Sequence, residues 1–261
     1  MIGVGAIFCA VSCSTELAIV HLNDTHSHFE PVRDEQRTGE AGIIERSIII
    51  DSIRTARGED HVLLLHAGDF NQGTSYFTQF GGALEVDAVN ALRYDCVTLG
   101  NHEFDNGVED LAGRLRNLNC PVVCANLKLE GTALEGVVTP YTIIRRGGHT
   151  IGIIGLVSDL KTNVAYSISS KLVQYDAVEV VNRYASELRA RKCDMVIVLS
   201  HLGFGGDLHL ASMTEGVDMI IGGHTHTFID DIHYVTNPKG KRIPVVQDGC
   251  WGYDVGELIV K

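Results

Sequence analysis

The chain has 261 residues, 45% hydrophobic and 21% charged, the composition of an ordinary globular protein long enough to bury a sizeable core. A formal charge of -12 and the lack of any Lys/Arg-rich run argue against nucleic acid as a partner, because phosphate backbones are held by clustered cations. Small nucleotides are not excluded, since bound metal ions invert the local charge of an acidic site.

Residues 1–13 are small and apolar, and the first charge is Glu16. That length suits the apolar core of an export signal and is too short to span a bilayer. Ala10-Val11-Ser12-Cys13 has the shape of a lipoprotein cleavage site with Cys13 as the lipidated residue. The expectation is an exported protein, periplasmic or membrane-anchored through Cys13, with one domain over residues 14–261. Of the seven cysteines, loss of Cys9 and lipidation of Cys13 leave Cys96, Cys120, Cys124, Cys193 and Cys250. An odd number argues against a disulfide framework, so buried free thiols are expected.

The apolar run at 18–22 predicts a first strand ending at Asn23-Asp24. Residues 43–57 place Ile44, Ile48, Ile49 and Ile53 at helical spacing, which predicts a helix buried on that face and stopped near Gly58. A strand at 62–65 runs into Gly68-Asp69, a helix covers 84–94, and a strand at 96–99 opens onto Gly100-Asn101. Beyond these come a strand at 121–126, a hairpin of 141–145 with 151–156, and a helix at 177–191. Strands at 195–199 and 219–221 lead to the last two motifs, and 244–248 and 256–260 read as closing strands. Strand and helix in alternation predict a parallel α/β sheet, whose carboxyl edge is where active groups from distant segments meet.

Five short motifs follow such strands: Asp24-Thr25-His26, Gly68-Asp69, Gly100-Asn101-His102-Glu103-Phe104-Asp105, Ser200-His201, and Gly222-Gly223-His224-Thr225-His226. Two divalent ions about 3.5–4 Å apart can clamp the attacking and phosphoryl oxygens of an in-line displacement. Such a centre needs a bridging carboxylate, further oxygen ligands and neutral imidazoles, and these motifs hold that inventory. Asp24 and His26 are two apart, so on an extended strand end they share a face, and His224 and His226 repeat the spacing.

The stretch from Asn90 to Asp105, with Gly68-Asp69-Phe70-Asn71-Gln72-Gly73-Thr74 and Ala41-Gly42-Ile43-Ile44-Glu45-Arg46, resembles the 5′-nucleotidase family of calcineurin-like metallophosphoesterases. The likeness covers nearly all of the chain after the export segment. It implies an α/β sandwich of two mixed β-sheets flanked by helices. It also implies two divalent cations, of Mn, Zn, Fe or Co, and hydrolysis of nucleoside 5′-monophosphates or related small phosphoesters by a metal-bound hydroxide. On that pattern Asp24, His26 and His226 bind one ion, and Asp69 bridges. Asn101, His201 and His224 complete the second site. Asn101 and His102 meet the substrate phosphate, and His102, its imidazole held by Asp105, is the catalytic acid. A carboxylate on one ring nitrogen favours the imidazolium that can donate a proton from the other, which supports that pairing independently.

Ecto-nucleotidases of the family often carry an amide where this chain has His226. The typical member also has a C-terminal domain whose aromatics sandwich the base, whereas this sequence stops at Lys261. The rival expectation is a metal-holding subunit whose substrate pocket comes from a separate C-terminal-domain chain. A thiosulfate-releasing hydrolase is disfavoured by the intact segment Asn101 to Asp105. His21, His28, His61, His66, His149, His209 and His233 read as surface or core residues, with His66 a weaker candidate for a supporting role. Glu103 reads as loop support, and Gly203, Gly205 and Gly206 as a flexible turn. Phe104, Trp251 and Tyr253 could pack on a substrate ring, but burial is the commoner fate of such residues.

Overall fold

The computed structural model describes residues 16–33 and 36–261. The expected export segment at 1–13, with Cys13, lies outside the described residues. Leu17–Leu22 (β1) and Val62–His66 (β2) are buried throughout, as befits parallel strands covered on both faces. They pair in parallel with each other, and β2 continues through Cys96–Thr98 (β3) to Val122–Val123 (β4), also parallel.

The second sheet is built from Tyr141–Arg146 (β5), His149–Val157 (β6), Met195–His201 (β7), Met219–Ile221 (β8), His233–Thr236 (β9) and Arg242–Val246 (β10), in the order β5-β6-β7-β8-β10-β9. Its middle strands β6, β7, β8 and β10 are parallel and both edges are antiparallel. Gly256–Val260 (β11) returns to the first sheet and lies antiparallel to β1. This is the expected sandwich of two mixed sheets.

The two-residue period of each strand sorts its side chains between layers. Leu17, Ile19, Leu63 and Leu65 face Ile153, Ile197, Leu199 and Ile221 between the sheets. Ala18, Val20, Leu22 and Leu64 turn the other way, with Ile50, Val89 and Leu111 from three helices in the same cluster. Ile154, Leu156, Val196 and Val198 do the same on the far side, with Val181, Leu188 and Leu210. β6 of the second sheet passes close to β4 at the edge of the first. A Cβ at Gly155 would run into the Val123 carbonyl, so glycine sets that approach.

Several expectations need correction. The helix Ile43–Arg57 forms where the spacing put it, but with a different buried face. Ile44 and Ile48 are 64% and 63% exposed and Ile49 is also exposed, while Arg46, Ile50 and Arg54 are buried. The guanidinium of Arg46 donates to the His28 carbonyl at 2.6 Å, and that of Arg54 to the Leu92 and Arg93 carbonyls at 2.9 and 3.0 Å. Counting apolar residues misses a face on which arginine stems pack and their heads satisfy buried carbonyls. The strand expected over 121–126 shrinks to two residues, because Cys124 and Ala125 donate to the Thr139 and Gly155 carbonyls instead. The closing strand expected at 244–248 is Arg242–Val246, paired with the unforeseen β9. Gly203 precedes the helix Phe204–Met213 and Gly205 and Gly206 lie inside it, so that stretch is no flexible turn. The five described cysteines are free and all but the half-buried Cys120 are buried. No helix among the described residues is long and apolar enough to cross a membrane.

Ile50→Ala should cost about 2–5 kcal/mol through the cavity it leaves, whereas Ile48→Ala should stay within about 0.5 kcal/mol. Urea unfolding of both variants checks the reassigned face, and equal losses would show that it is wrong.

Candidate metal centre

The carboxyl ends of β1, β2, β3, β7 and β8 face one cleft; four of the five motifs lie on the turns that leave them, and Ser200-His201 closes β7 itself. Asp24, His26, Asp69, His224 and His226 all have positive φ, between 46° and 80°. Left-handed backbone costs non-glycine residues on the order of 1–3 kcal/mol each and persists only where surroundings enforce it. Here they do. Asp24 donates its amide hydrogen to the Gly68 carbonyl at 2.9 Å and His26 to that of Asp69 at 3.1 Å, locking the first two turns together. Glycine is needed beside them: a Cβ at Gly68 would press on the Gly100 nitrogen and His201, and one at Gly223 on the Ala67 carbonyl and His201.

The side chains form two groups. Ligand atoms of Asp24, His26 and His226 lie within 4.8 Å of one another, as do those of Asp69, His201 and His224. The carboxylate oxygens tie the groups together. Asp24 Oδ2 accepts from Asn23 Nδ2 at 2.6 Å and the His224 amide at 2.8 Å. Its Oδ1 is buried and has no hydrogen-bond partner, yet it faces His226 Nε2 at 3.4 Å, His26 Nε2 at 3.7 Å and His201 Nε2 at 3.8 Å. Asp69 Oδ1 accepts the His102 amide at 2.9 Å, while Oδ2 lies 3.0 Å from His201 Nε2 and 3.9 Å from His26 Nε2.

Tautomers follow from the far ring nitrogens. His201 Nδ1 donates to the Ala67 carbonyl at 2.7 Å, and His26 Nδ1 sits 3.2 Å from both the Asn71 and Gln72 carbonyls. Each ring thus turns Nε2 toward the carboxylates, and the His26 and His226 Nε2 atoms stand 3.0 Å apart. Lone pairs aimed at one another and at carboxylates need a cation between them. With only protons present, burial would raise Asp24, but the charge of His201 and the nearby His226, His26 and Asn23 side chains overcome it and hold its carboxyl far below the usual range. Burial opposes the charge on His201, yet Asp69 and Asp24 push it up to about 10. Asp24 and Cys250 beside its ring raise His226 to about 10. The residues present therefore fit divalent cations: oxygen and imidazole donors, buried, in a pocket that demands positive charge.

Asn101 is buried, lines the same cleft beside Asp69, and its Oδ1 accepts the Ser158 hydroxyl at 3.3 Å. His102 is in the cleft wall, with Nδ1 2.9 Å from Asp105 Oδ2. That hydrogen bond, against a smaller effect of burial, raises the His102 imidazole. All the candidate residues read from the motifs thus border one cleft or the contacts beneath it. Its volume is about 730 Å³, within the range of small-molecule sites.

One support was missed in the sequence and a second was given too small a part. Asn23 bonds Asp24 and the Gly249 carbonyl at 2.7 Å and accepts the Asp248 amide at 2.8 Å, pinning the first turn to the last strand's approach. His66 is buried with Nε2 3.1 Å from Thr25 Oγ1, a closer part in the site than its sequence position suggested. Burial pushes that imidazole down to about 3, so it stays neutral. Thr162 and Asn163 also line the cleft and carry no motif. Glu103, read as loop support, is fully buried and accepts four amide hydrogens, from Asp69 at 2.8 Å, Phe70 at 3.1 Å, Asn71 at 3.2 Å and Gly100 at 2.5 Å.

Residues 17–228 match the family model of the calcineurin-like phosphoesterases. The class that fold and site define is therefore this family of metal-dependent phosphoric ester hydrolases, and the chain belongs to it. It is 35% identical to human 5′-nucleotidase, over all of this chain and 49% of that protein. Among solved structures, a 5′-nucleotidase precursor from Thermus thermophilus superposes with a TM-score of 0.87 at 37% identity, covering 94% of this chain and 51% of the other. An NAD nucleotidase from Haemophilus influenzae gives 0.85 at 30% identity, covering 94% and 52%. The chain spans about half the length of each of these relatives.

Replacing Glu103 by Gln leaves one oxygen for four amide donors and turns an NH₂ group on the rest. It should cost about 1–3 kcal/mol of stability and weaken Mn²⁺ binding, because the turns carrying Asp69 and Asn101 lose their common anchor. Urea titration and calorimetric Mn²⁺ titration check both, and an unchanged affinity would detach Glu103 from the centre.

Proposed function

We propose that this domain holds two divalent cations and hydrolyses nucleoside 5′-monophosphates and related small phosphoesters, releasing phosphate. The observation that carries the reading is Asp24 Oδ1, buried, unpartnered, and facing imidazole nitrogens from both ligand groups. Asp24, His26 and His226 are assigned to one ion and Asn101, His201 and His224 to the other. Asp69, whose Oδ2 lies between His201 and His26, is assigned to both. Bound divalent cations supply Lewis acidity at the phosphoryl oxygens and make water acidic enough to react near neutral pH.

The protein's own part is orientation and proton supply. Asn101 and the His102 side chain meet the phosphate from the cleft wall. Asp105 occupies Nδ1 of His102, so the imidazolium, which the carboxylate favours, presents its remaining proton at Nε2. That proton goes to the leaving alkoxide as the P–O bond breaks. The Asp69–His102 amide contact keeps the acid in register with the ligand carboxylate. Similarity to proteins named 5′-nucleotidase and NAD nucleotidase supports nucleotides as the substrate class.

The test is hydrolysis of adenosine 5′-monophosphate, a 2′,3′-cyclic nucleotide, a nucleotide sugar and an aryl phosphate, with Mn²⁺, Zn²⁺, Co²⁺ or chelator. Activity should require metal and be greatest on nucleotides. His102→Ala should lower kcat by roughly 10²–10⁴-fold, with Asp105→Asn intermediate. Two metals bound per chain with no turnover of any phosphoester would overturn the assignment.

A further inference from the structure

Behind the second ligand group lies a buried carboxyl that the proposed hydrolysis does not use. Asp207 stands in the first turn of the helix Phe204–Met213 and is fully buried. Its Oδ1 accepts the hydroxyl hydrogen of Ser200, likewise fully buried, at 2.5 Å. Its Oδ2 is buried with no hydrogen-bond partner. An apolar residue of the same size would avoid the cost of burying that oxygen, so helix packing alone does not account for an aspartate here.

The two oxygens face the two strand ends that deliver imidazoles to that group. Ser200 directly precedes His201 on β7, and its oxygen also accepts the Leu202 amide at 3.2 Å, so one hydroxyl brackets His201. Oδ2 lies against Gly222, which opens the turn to His224, and a Cβ there would collide with it. Gly222 is outside the left-handed region, so the closeness of Asp207, not its own backbone, leaves no room for a side chain. Pairing of β7 with β8 ends at Leu199 and Ile221, one residue short of Ser200 and Gly222. Asp207 thus joins the two chains where the sheet ladder stops. The same helix meets the turn again, because the Phe204 amide donates to Thr225 Oγ1 at 3.0 Å. The imidazoles so supported, His201 and His224, have ring centroids 5.1 Å apart.

We propose that Asp207 is a positioning residue of the second ligand group: its carboxyl sets the spacing of His201 and His224, and through it that group's affinity for a divalent cation. The inference rests on the metal centre proposed above. Asp207 does not line the cleft, so it acts only through the residues that carry the two imidazoles. Outer supports of this kind orient metal ligands without touching the ion.

Calorimetric titration of the whole chain with Mn²⁺ reads this without turnover. Two binding steps are expected, and the step lost in His224→Ala belongs to the second group. Asp207→Ala should weaken that step about 10–100-fold and leave the other unchanged. Asp207→Asn, whose side-chain oxygen can still accept the Ser200 hydroxyl, should keep most of the affinity, whereas Asp207→Leu, which fills the space without an acceptor, should not. That comparison stands even if the Ala variant does not fold. Gly222→Ala should weaken the same step, and combining it with Asp207→Ala should cost less than the two losses together, because the smaller residue leaves room for the new methyl. Equal weakening of both steps, or affinity kept by Leu as well as Asn, would mark Asp207 as packing only and overturn the proposal. Additive losses in the double variant would also overturn it. Selective loss in a chain that hydrolyses no phosphoester would sustain the proposal while the hydrolase reading fails, and a wild-type chain that binds no Mn²⁺ would overturn both.

Discussion

Asp24 and Asp69 sit side by side where water barely reaches, each with one oxygen satisfied by amide hydrogens and the other turned toward imidazoles. Two buried carboxylates this close are costly without compensating charge, by several kcal/mol per ion. The four imidazoles and the cations they can hold supply that compensation. Much of the surrounding architecture follows from the need to deliver these groups from both sheets to one point. The parallel strands β1, β2 and β3 of one sheet and β7 and β8 of the other end at a common edge, and the sandwich brings those edges together.

Holding the groups there strains the backbone. Five of the candidate ligands occupy left-handed conformations, and the turns that carry them have no regular ladder to support them. The compensation comes from hydrogen bonds between turns rather than within them. Glu103 gathers amides from the second and third turns, Asn23 joins the first to the segment before β11, and Thr25 meets His66. The same cross-bracing fixes the Trp251 backbone to Asp24, so the candidate ligand turn and the neighbouring aromatic residue are joined by a hydrogen bond.

The motif residues were legible because metal chemistry restricts the residue types and a strand end restricts their position. Strands β1, β2, β3, β7 and β8 were legible because buried parallel strands are continuous apolar runs. The helix Ile43–Arg57 shows where this reading stops. Its apolar count favoured Ile44 and Ile48, whereas burial went to Arg46 and Arg54, whose partners are carbonyls from segments up to 39 residues away. The helix Phe204–Met213 was missed because glycines at its start suggest a turn, while its burial against the second sheet overrides their low helix propensity.

By itself the sequence determined the class of chemistry, since paired Asp-x-His and His-x-His spacings after apolar runs, with Gly-Asn-His-Glu, leave few other uses for those side chains. It also determined that an α/β sheet would carry them. Only the tertiary structure decided which oxygen of Asp24 is left open, which ring nitrogens face it, and that Asn23 braces the turns. It alone separated Trp251, stacked on His28 at the cleft, from Phe104, sealed in the core. These outcomes depend on contacts between residues tens to hundreds of positions apart, and no local pattern encodes the distance or direction at which two such side chains meet.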